Sequence, residues 1–126
     1  MILNLKMQEI KTAEFQFPNI YLDIDKEWKI RLLAFTGILV NPLQVDTMLE
    51  ISTDVISRTV GNPRQVLGVM TFPAATTVVN YFPANSAAYI IRFDEINSSV
   101  IKIFSDRKEP EKFRDAFIQL EIISEF

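Results

Sequence analysis

The residues of this sequence that could carry chemistry are carboxylates, hydroxyls and amines, because it contains neither histidine nor cysteine. Histidine is the most common general base and transition-metal ligand, and cysteine supplies thiolate nucleophiles, zinc ligands and disulfides. Neither a Ser-His-Asp nor a Cys-His arrangement can be built from these residues. The sequence therefore predicts a protein that is not an enzyme and that holds no cofactor and no metal ion.

Asp23 and Asp25 are the best-spaced pair of carboxylates. In an extended segment residues i and i+2 share a face, so such a pair suits acid–base chemistry or a Ca²⁺ site. Calcium, however, needs about six to eight oxygen ligands and usually a glycine-bearing loop, which is missing nearby. We interpret both aspartates as solvent-facing strand and turn residues. A second acidic group, formed by Asp94, Glu95 and Asp106, receives the same interpretation.

The serines and basic residues give equally weak signals for a site. Asn97-Ser98-Ser99 matches the glycosylation acceptor pattern, which we interpret as a chance match. A serine nucleophile here would need Lys102 as its base, and nothing in the spacing aims that lysine at either hydroxyl. The basic cluster of segment 106–115 alternates with acidic residues, so we interpret it as a solvated loop. Its members are Arg107, Lys108, Lys112 and Arg114.

The overall charge and hydropathy exclude several partners. Lys and Arg number 13 against 16 Asp and Glu, a net charge of -3, whereas nucleic-acid binders normally present a basic face. The first residues lack the continuous apolar run of a signal peptide, and no segment approaches the ~20 apolar residues that cross a bilayer. We expect no direct nucleic-acid partner, no signal peptide and no membrane span.

Alternation of apolar and polar residues predicts short β-strands along the whole chain. Clear examples are Thr47–Thr53, Asn97–Ser105 and Ala116–Ile123. We expect the last two to pair as a strand–loop–strand unit across the charged segment 106–115. In Trp28–Thr36 one face begins charged and ends apolar, which predicts a strand that starts at a wet edge and continues under a cover.

The spacing of the prolines indicates how these strands are organised. Pro63, Pro73 and Pro83 separate short strands about ten residues apart, the spacing typical of all-β sandwiches and barrels. Residues 1–126 contain enough hydrophobic residues, 48%, for one domain with a real core. The predicted fold class is all-β: a jelly-roll-like antiparallel β-sandwich of eight to nine short strands, with Met1–Met7 as an edge strand or arm.

Aromatic residues exceed what a small core hides easily, since there are ten Phe, three Tyr and one Trp. Exposed aromatic side chains commonly anchor protein interfaces. We therefore expect four phenylalanines to reach a partner surface: Phe82, Phe93, Phe113 and Phe126.

Several segments together resemble a known family. They are Trp28–Phe35, Leu49–Ile56 followed by Val60-Gly61-Asn62, and a closing unit of Ile96–Asp106, Phe113 and Phe117–Ile122. In spacing and residue class the sequence resembles the single jelly-roll minor capsid (penton-type) proteins of virophages, Polinton-like elements and related eukaryotic DNA viruses. The resemblance covers roughly three quarters of the chain.

The resemblance implies a non-enzymatic structural protein of the virion. Such a subunit self-associates, for example as a pentamer, and packs against a major capsid protein in a capsid assembled inside the host cell. Arginines at the rim would then pair with acidic residues of the next subunit, giving register. The candidates are Arg31, Arg58, Arg64 and Arg92. The alternative is a small β-sandwich binding module for a carbohydrate or protein partner, with Trp28, Tyr81, Tyr89 and the phenylalanines as candidates for a sugar-binding face.

Overall fold

The chain folds into antiparallel β-sheets. A computed structural model describes residues 1–6, 11–12, 14–18, 20, 22–23, 25–53, 66–84, 87–91, 100–105 and 112–125, and across those residues it contains strands and turns but no helix. In chain order the strands are β1 (Ile2–Lys6), β2 (Lys11–Thr12), β3 (Glu14–Gln16), β4 (Glu27–Leu39), β5 (Thr47–Thr53), β6 (Val66–Phe72), β7 (Val78–Tyr81), β8 (Tyr89–Ile90), β9 (Val100–Ser105) and β10 (Lys112–Glu125). The predicted fold class, an all-β antiparallel sandwich, is confirmed, whereas the expectation of eight to nine short strands is wrong: the described residues form ten, and β4 and β10 have 13 and 14 residues.

The strands form two sheets, and the chain passes repeatedly from one sheet to the other. Sheet A has the order β1-β10-β4-β7, with β2 beside β10 and β8 beside β4. Sheet B has the order β3-β9-β5-β6. The expected hairpin of β9 with β10 is wrong, because β9 pairs with β3 and β5 in sheet B while β10 lies in sheet A. Alternation identifies a strand, but it does not identify the neighbour.

The core lies between the two sheets and is built around three phenylalanines. The rings of Phe15 on β3 and Phe35 on β4 meet edge to face at 6.3 Å, which joins sheet B to sheet A. Phe35 meets Phe113 on β10 in the same way at 5.7 Å. Edge-to-face pairs are favourable beyond the apolar area they bury. The other largest buried side chains are Ile30, Leu32, Leu49, Ile51, Ile118, Leu120 and Ile122.

A β-bulge in β4 explains the mixed character of its sequence. The register with β10 shifts between Gln119 and Leu120, which leaves Leu33 as an extra residue on β4. Apart from the small Ala34, which is also buried, buried positions on β4 are therefore even-numbered before the bulge, as at Leu32, and odd-numbered after it, as at Phe35. The expectation of one face that changes from wet to covered is wrong; the chain changes which residues face inward.

A second bulge brings Phe113 into the core. The register shifts between Phe113 and Asp115, so Arg114 is the extra residue on β10. Phe113 is 0% exposed. Segment 106–115 was expected to be a loop throughout, yet β10 begins at Lys112. The expectation that Phe113 reaches a partner surface is wrong for the same reason, since its ring fills the sandwich.

The turn between β6 and β7 is tied to the loop that follows β4. The amide of Ala75, whose φ is 72°, donates to the carbonyl of Leu43 at 2.7 Å. The amide of Ala74 donates to Oδ1 of Asp46 at 2.8 Å. These bonds fix where β7 starts and hold it beside the last residues of β4.

Candidate interaction surfaces

Asp23 and Asp25, the carboxylate pair considered from the sequence, lie in a turn. The amide of Asp25 donates to Oδ1 of Asp23 at 3.0 Å, and Nε1 of Trp28 donates to the carbonyl oxygen of Asp23 at 2.9 Å. Asp25 is exposed, so the two carboxylates form no buried pair. This arrangement agrees with the interpretation of turn residues. The other acidic group, Asp94, Glu95 and Asp106, lies outside the described residues, as does Asn97-Ser98-Ser99.

A metal site, and a sugar-binding face built on Trp28, Tyr81 and Tyr89, gain no support from the described part of the chain. No group of three or more carboxylates gathers there in a way that could hold a metal ion. Trp28, Tyr81 and Tyr89 are partly buried and pack against the core, so they do not form the open sugar-binding face considered from the sequence.

The outer face of sheet A carries a polar ladder at one end. Nε2 of Gln119 on β10 donates to Oδ1 of Asn4 on β1 at 3.0 Å. Two residues further along β10, Glu121 forms an ion pair with Arg31 on β4, with 2.7 Å between Oε1 and Nη2. Arg31, a candidate for rim pairing with another subunit, is thus already paired within its own chain.

The other end of the same face holds an apolar hollow. It is open to solvent and has a volume of about 300 Å³. It is lined by Gly37, Ala116 and six larger residues of β4, β7 and β10: Thr36, Ile38, Val78, Asn80, Asp115 and Phe117. The strand register arranges them in two rows, with Asp115, Ile38 and Val78 in one row and Phe117, Thr36 and Asn80 in the next.

The hollow combines apolar and polar side chains. Ile38, Val78 and Phe117 are all among the exposed large hydrophobic residues. Sequence reasoning missed this surface, because the bulge at Arg114 sets which β10 residues face outward. One signal in the sequence could have indicated it. Val78 and Val79 are adjacent in β7, so both faces of that strand carry an apolar residue.

Phe82 is the one candidate interface phenylalanine found on the surface. It follows β7 directly and is 68% exposed, the highest value among the exposed large hydrophobic residues described. The remaining candidates lie outside the described residues: Arg58, Arg64, Arg92, Phe93 and Phe126.

Comparison with protein-family models, with curated proteins and with solved structures finds no match. Within the described residues there is no helix of the length and hydrophobicity that would cross a membrane. The features that bear on function are therefore the strand order, the surfaces and the resemblance in sequence.

Proposed function

We propose that the protein is a non-enzymatic structural subunit of a viral capsid, with a jelly-roll fold, that self-associates and packs against a major capsid protein. The observation that carries the proposal is the order of the strands. Jelly rolls are double-sheet folds of about eight strands, and viral capsid proteins are prominent among them.

With the two-residue strands β2 and β8 left aside, four of the six strand pairings are nested, and the other two, β10 with β4 and β9 with β5, join these pairs side by side within the sheets. β1 pairs with β10, β3 with β9, β4 with β7, and β5 with β6, all antiparallel. This is the set of pairs that results when one long hairpin is rolled into two sheets. The alternative topologies of a sandwich, such as consecutive hairpins within one sheet, would pair neighbours in sequence. The nested order thus favours a jelly roll within the confirmed sandwich class.

The surface also suits a protein that works by contact. Phe82 is an exposed aromatic residue of the kind that anchors interfaces. The apolar hollow places further exposed hydrophobic side chains on a sheet face, and contiguous apolar surface on a soluble protein commonly marks an interaction site. In a closed ring such contacts are heterologous: a different patch of each copy meets the next.

The test is assembly. We expect native mass spectrometry of the purified protein to reveal a discrete oligomer of ring size, and we expect the protein to enter shells when co-expressed with the major capsid protein of its source. Phe82→Asp should reduce both, because it places a charge at the anchor. Val45→Asp is the matched control, since Val45 is also exposed, at 51%, but lies in a different loop. A protein that stays monomeric and stays out of the shells would contradict the proposal.

A glycan-binding module is the second candidate, and the hollow favours it. Sugar sites combine an aromatic face with amides and carboxylates that bind hydroxyls, and Phe117, Asn80 and Asp115 supply these groups along adjacent strands. On this hypothesis Phe117→Ala and Asp115→Asn would abolish binding to a glycan array without changing the oligomer. Array binding by a monomer would favour this candidate over the capsid subunit.

A further inference from the structure

Each sheet ends in strands whose outer backbone groups have no described neighbour. Sheet A ends in β1 and β7, and sheet B in β3 and β6. Such edges are templates for pairing with another chain, and soluble proteins usually protect them with charges, prolines, bulges or short length. The four edges differ in how well they are protected, and that difference indicates where another strand adds.

Three of the edges carry protection. β1 contains Lys6, and β3 is only 3 residues long and contains Glu14. β7 is only 4 residues long. Short strands offer few hydrogen bonds, and a charge on an edge opposes burial against a neighbour.

β6 is the least protected edge. It has 7 residues, Val-Leu-Gly-Val-Met-Thr-Phe, without a charge or a proline. Its one irregularity is the register shift at Leu67, which leaves Gly68–Phe72 as a regular segment paired with β5 on one side. Within the described chain nothing pairs with its other side. Val69 is 45% exposed on the outer face, so the strand is reachable from solvent.

We propose that β6 is the site where two copies of this chain pair edge to edge. The two β6 strands run antiparallel about a two-fold axis at Met70, which joins the two B sheets into one continuous sheet. This contact stands apart from the capsid role, because a binding module could form it equally well.

The register follows from the faces and from the bulge. Pairing about Met70 sets Gly68 opposite Phe72 of the second copy and Val69 opposite its Thr71, so inward residues meet inward residues. A register shifted by one position, about Val69, would bring the bulged Leu67 against Thr71 and lose part of the ladder.

Electrostatics favour a second copy as the occupant. Like charges that face each other across paired strands are destabilising, and β6 has none to oppose its own copy. The nearest acidic side chain on the outer face is Glu50 of β5, opposite Val69. In the paired sheet the two Glu50 residues are separated by three strand spacings across the sheet, at least roughly 14 Å, beyond the screening length of about 8 Å at physiological ionic strength.

The proposal is tested by moving charges on the edge. Sedimentation velocity over a range of concentrations should show a monomer–dimer equilibrium for the wild-type protein, besides any larger ring. Val69→Lys and Thr71→Glu should each raise the dimer dissociation constant by roughly tenfold or more, since each places a charge on the joined edge with no opposite charge facing it on the other copy. The double variant Val69→Lys/Thr71→Glu should restore the dimer, because each new lysine then faces a new glutamate of the other copy.

Two controls make the result decisive. Met48→Lys places the same charge on the same face of sheet B, on β5 beside Thr71, and should leave the dimer unchanged. Circular dichroism and thermal melts of every variant check that the sandwich stays folded; Val69 and Thr71 are exposed, so folding should persist. A wild-type protein without this dimer, or a dimer that Val69→Lys leaves intact, overturns the proposal. If the wild-type protein forms this dimer but no larger ring-sized oligomer, the result counts against the proposed capsid role and not against the β6 contact.

Discussion

The two faces of sheet A use the same strands for opposite purposes. The inner face is sealed by aromatic and aliphatic side chains, with Phe35 and Phe113 both 0% exposed. The outer face combines a polar ladder at Gln119 and Glu121 with an apolar hollow around Phe117. Phe113 and Phe117 are four residues apart on β10, yet one is core and the other is surface. Burial in this protein is therefore decided by the register, including its bulges, and not by residue type.

The largest expected effect comes from truncating these two phenylalanines. Phe113→Ala should lower the free energy of unfolding by about 3–5 kcal/mol, because it leaves a cavity beside Phe35 and Gly37. Phe117→Ala, the matched control on the opposite face, should cost no more than about 1 kcal/mol. Chemical denaturation followed by tryptophan fluorescence, with Trp28 as the probe, measures both values. Equal losses would refute the assignment of inner and outer faces.

A smaller effect is expected at two glycines that lie against the core. A Cβ on Gly37 would lie 2.7 Å from Cδ1 and 2.8 Å from Cε1 of the Phe113 ring. On Gly68 it would lie 2.9 Å from Cδ2 of Leu32, a methyl at the tip of a flexible side chain. Gly37→Ala should therefore destabilise by about 1–3 kcal/mol through overpacking.

Gly68→Ala should cost under about 1 kcal/mol, because the Leu32 methyl can move and the alanine restricts the unfolded chain. Both variants are compared by denaturation at low protein concentration, so that pairing through β6 does not contribute. If Gly68→Ala proves the costlier change, the Phe113 ring is not the rigid obstacle described above.

The smallest effect is expected on the polar end of the outer face. The Arg31 and Glu121 side chains are 40% and 22% exposed, and ion pairs of this kind contribute about 0.2–1 kcal/mol. A double-mutant cycle with Arg31→Met and Glu121→Gln measures the coupling. We expect the coupling to shrink as salt is added, since exposed pairs are screened. A coupling of several kcal/mol would mean that this face is covered in the native protein.

The sequence predicted local structure well and spatial neighbours poorly. β5 was predicted with its observed bounds, Thr47–Thr53, because alternation is a local property of the chain. The inward and outward residues of β4 were mistaken after Leu33, since a bulge adds one residue without any composition signal. Phe113 was placed in a loop because charged residues surround it in sequence.

Pairing depended on contacts that alternation does not encode. β9 and β10 are close in sequence, yet each finds its neighbours in a different sheet. The apolar hollow was missed for the same reason, because it forms only where β4, β7 and β10 lie side by side. Of the candidate surface residues, Phe82 was found exposed and Arg31 was found paired within the chain.

The position of β10 has a consequence for biosynthesis. It lies between β1 and β4 in sheet A, although it leaves the ribosome after every other described strand. β1, in which Leu3 pairs with Leu120, therefore has no partner strand until β10 has been synthesised. A nascent chain of this topology exposes apolar surface until translation has passed β10, and its long-range contacts make folding slow. Its yield in a cell should therefore depend on chaperones that shield the unfinished sandwich.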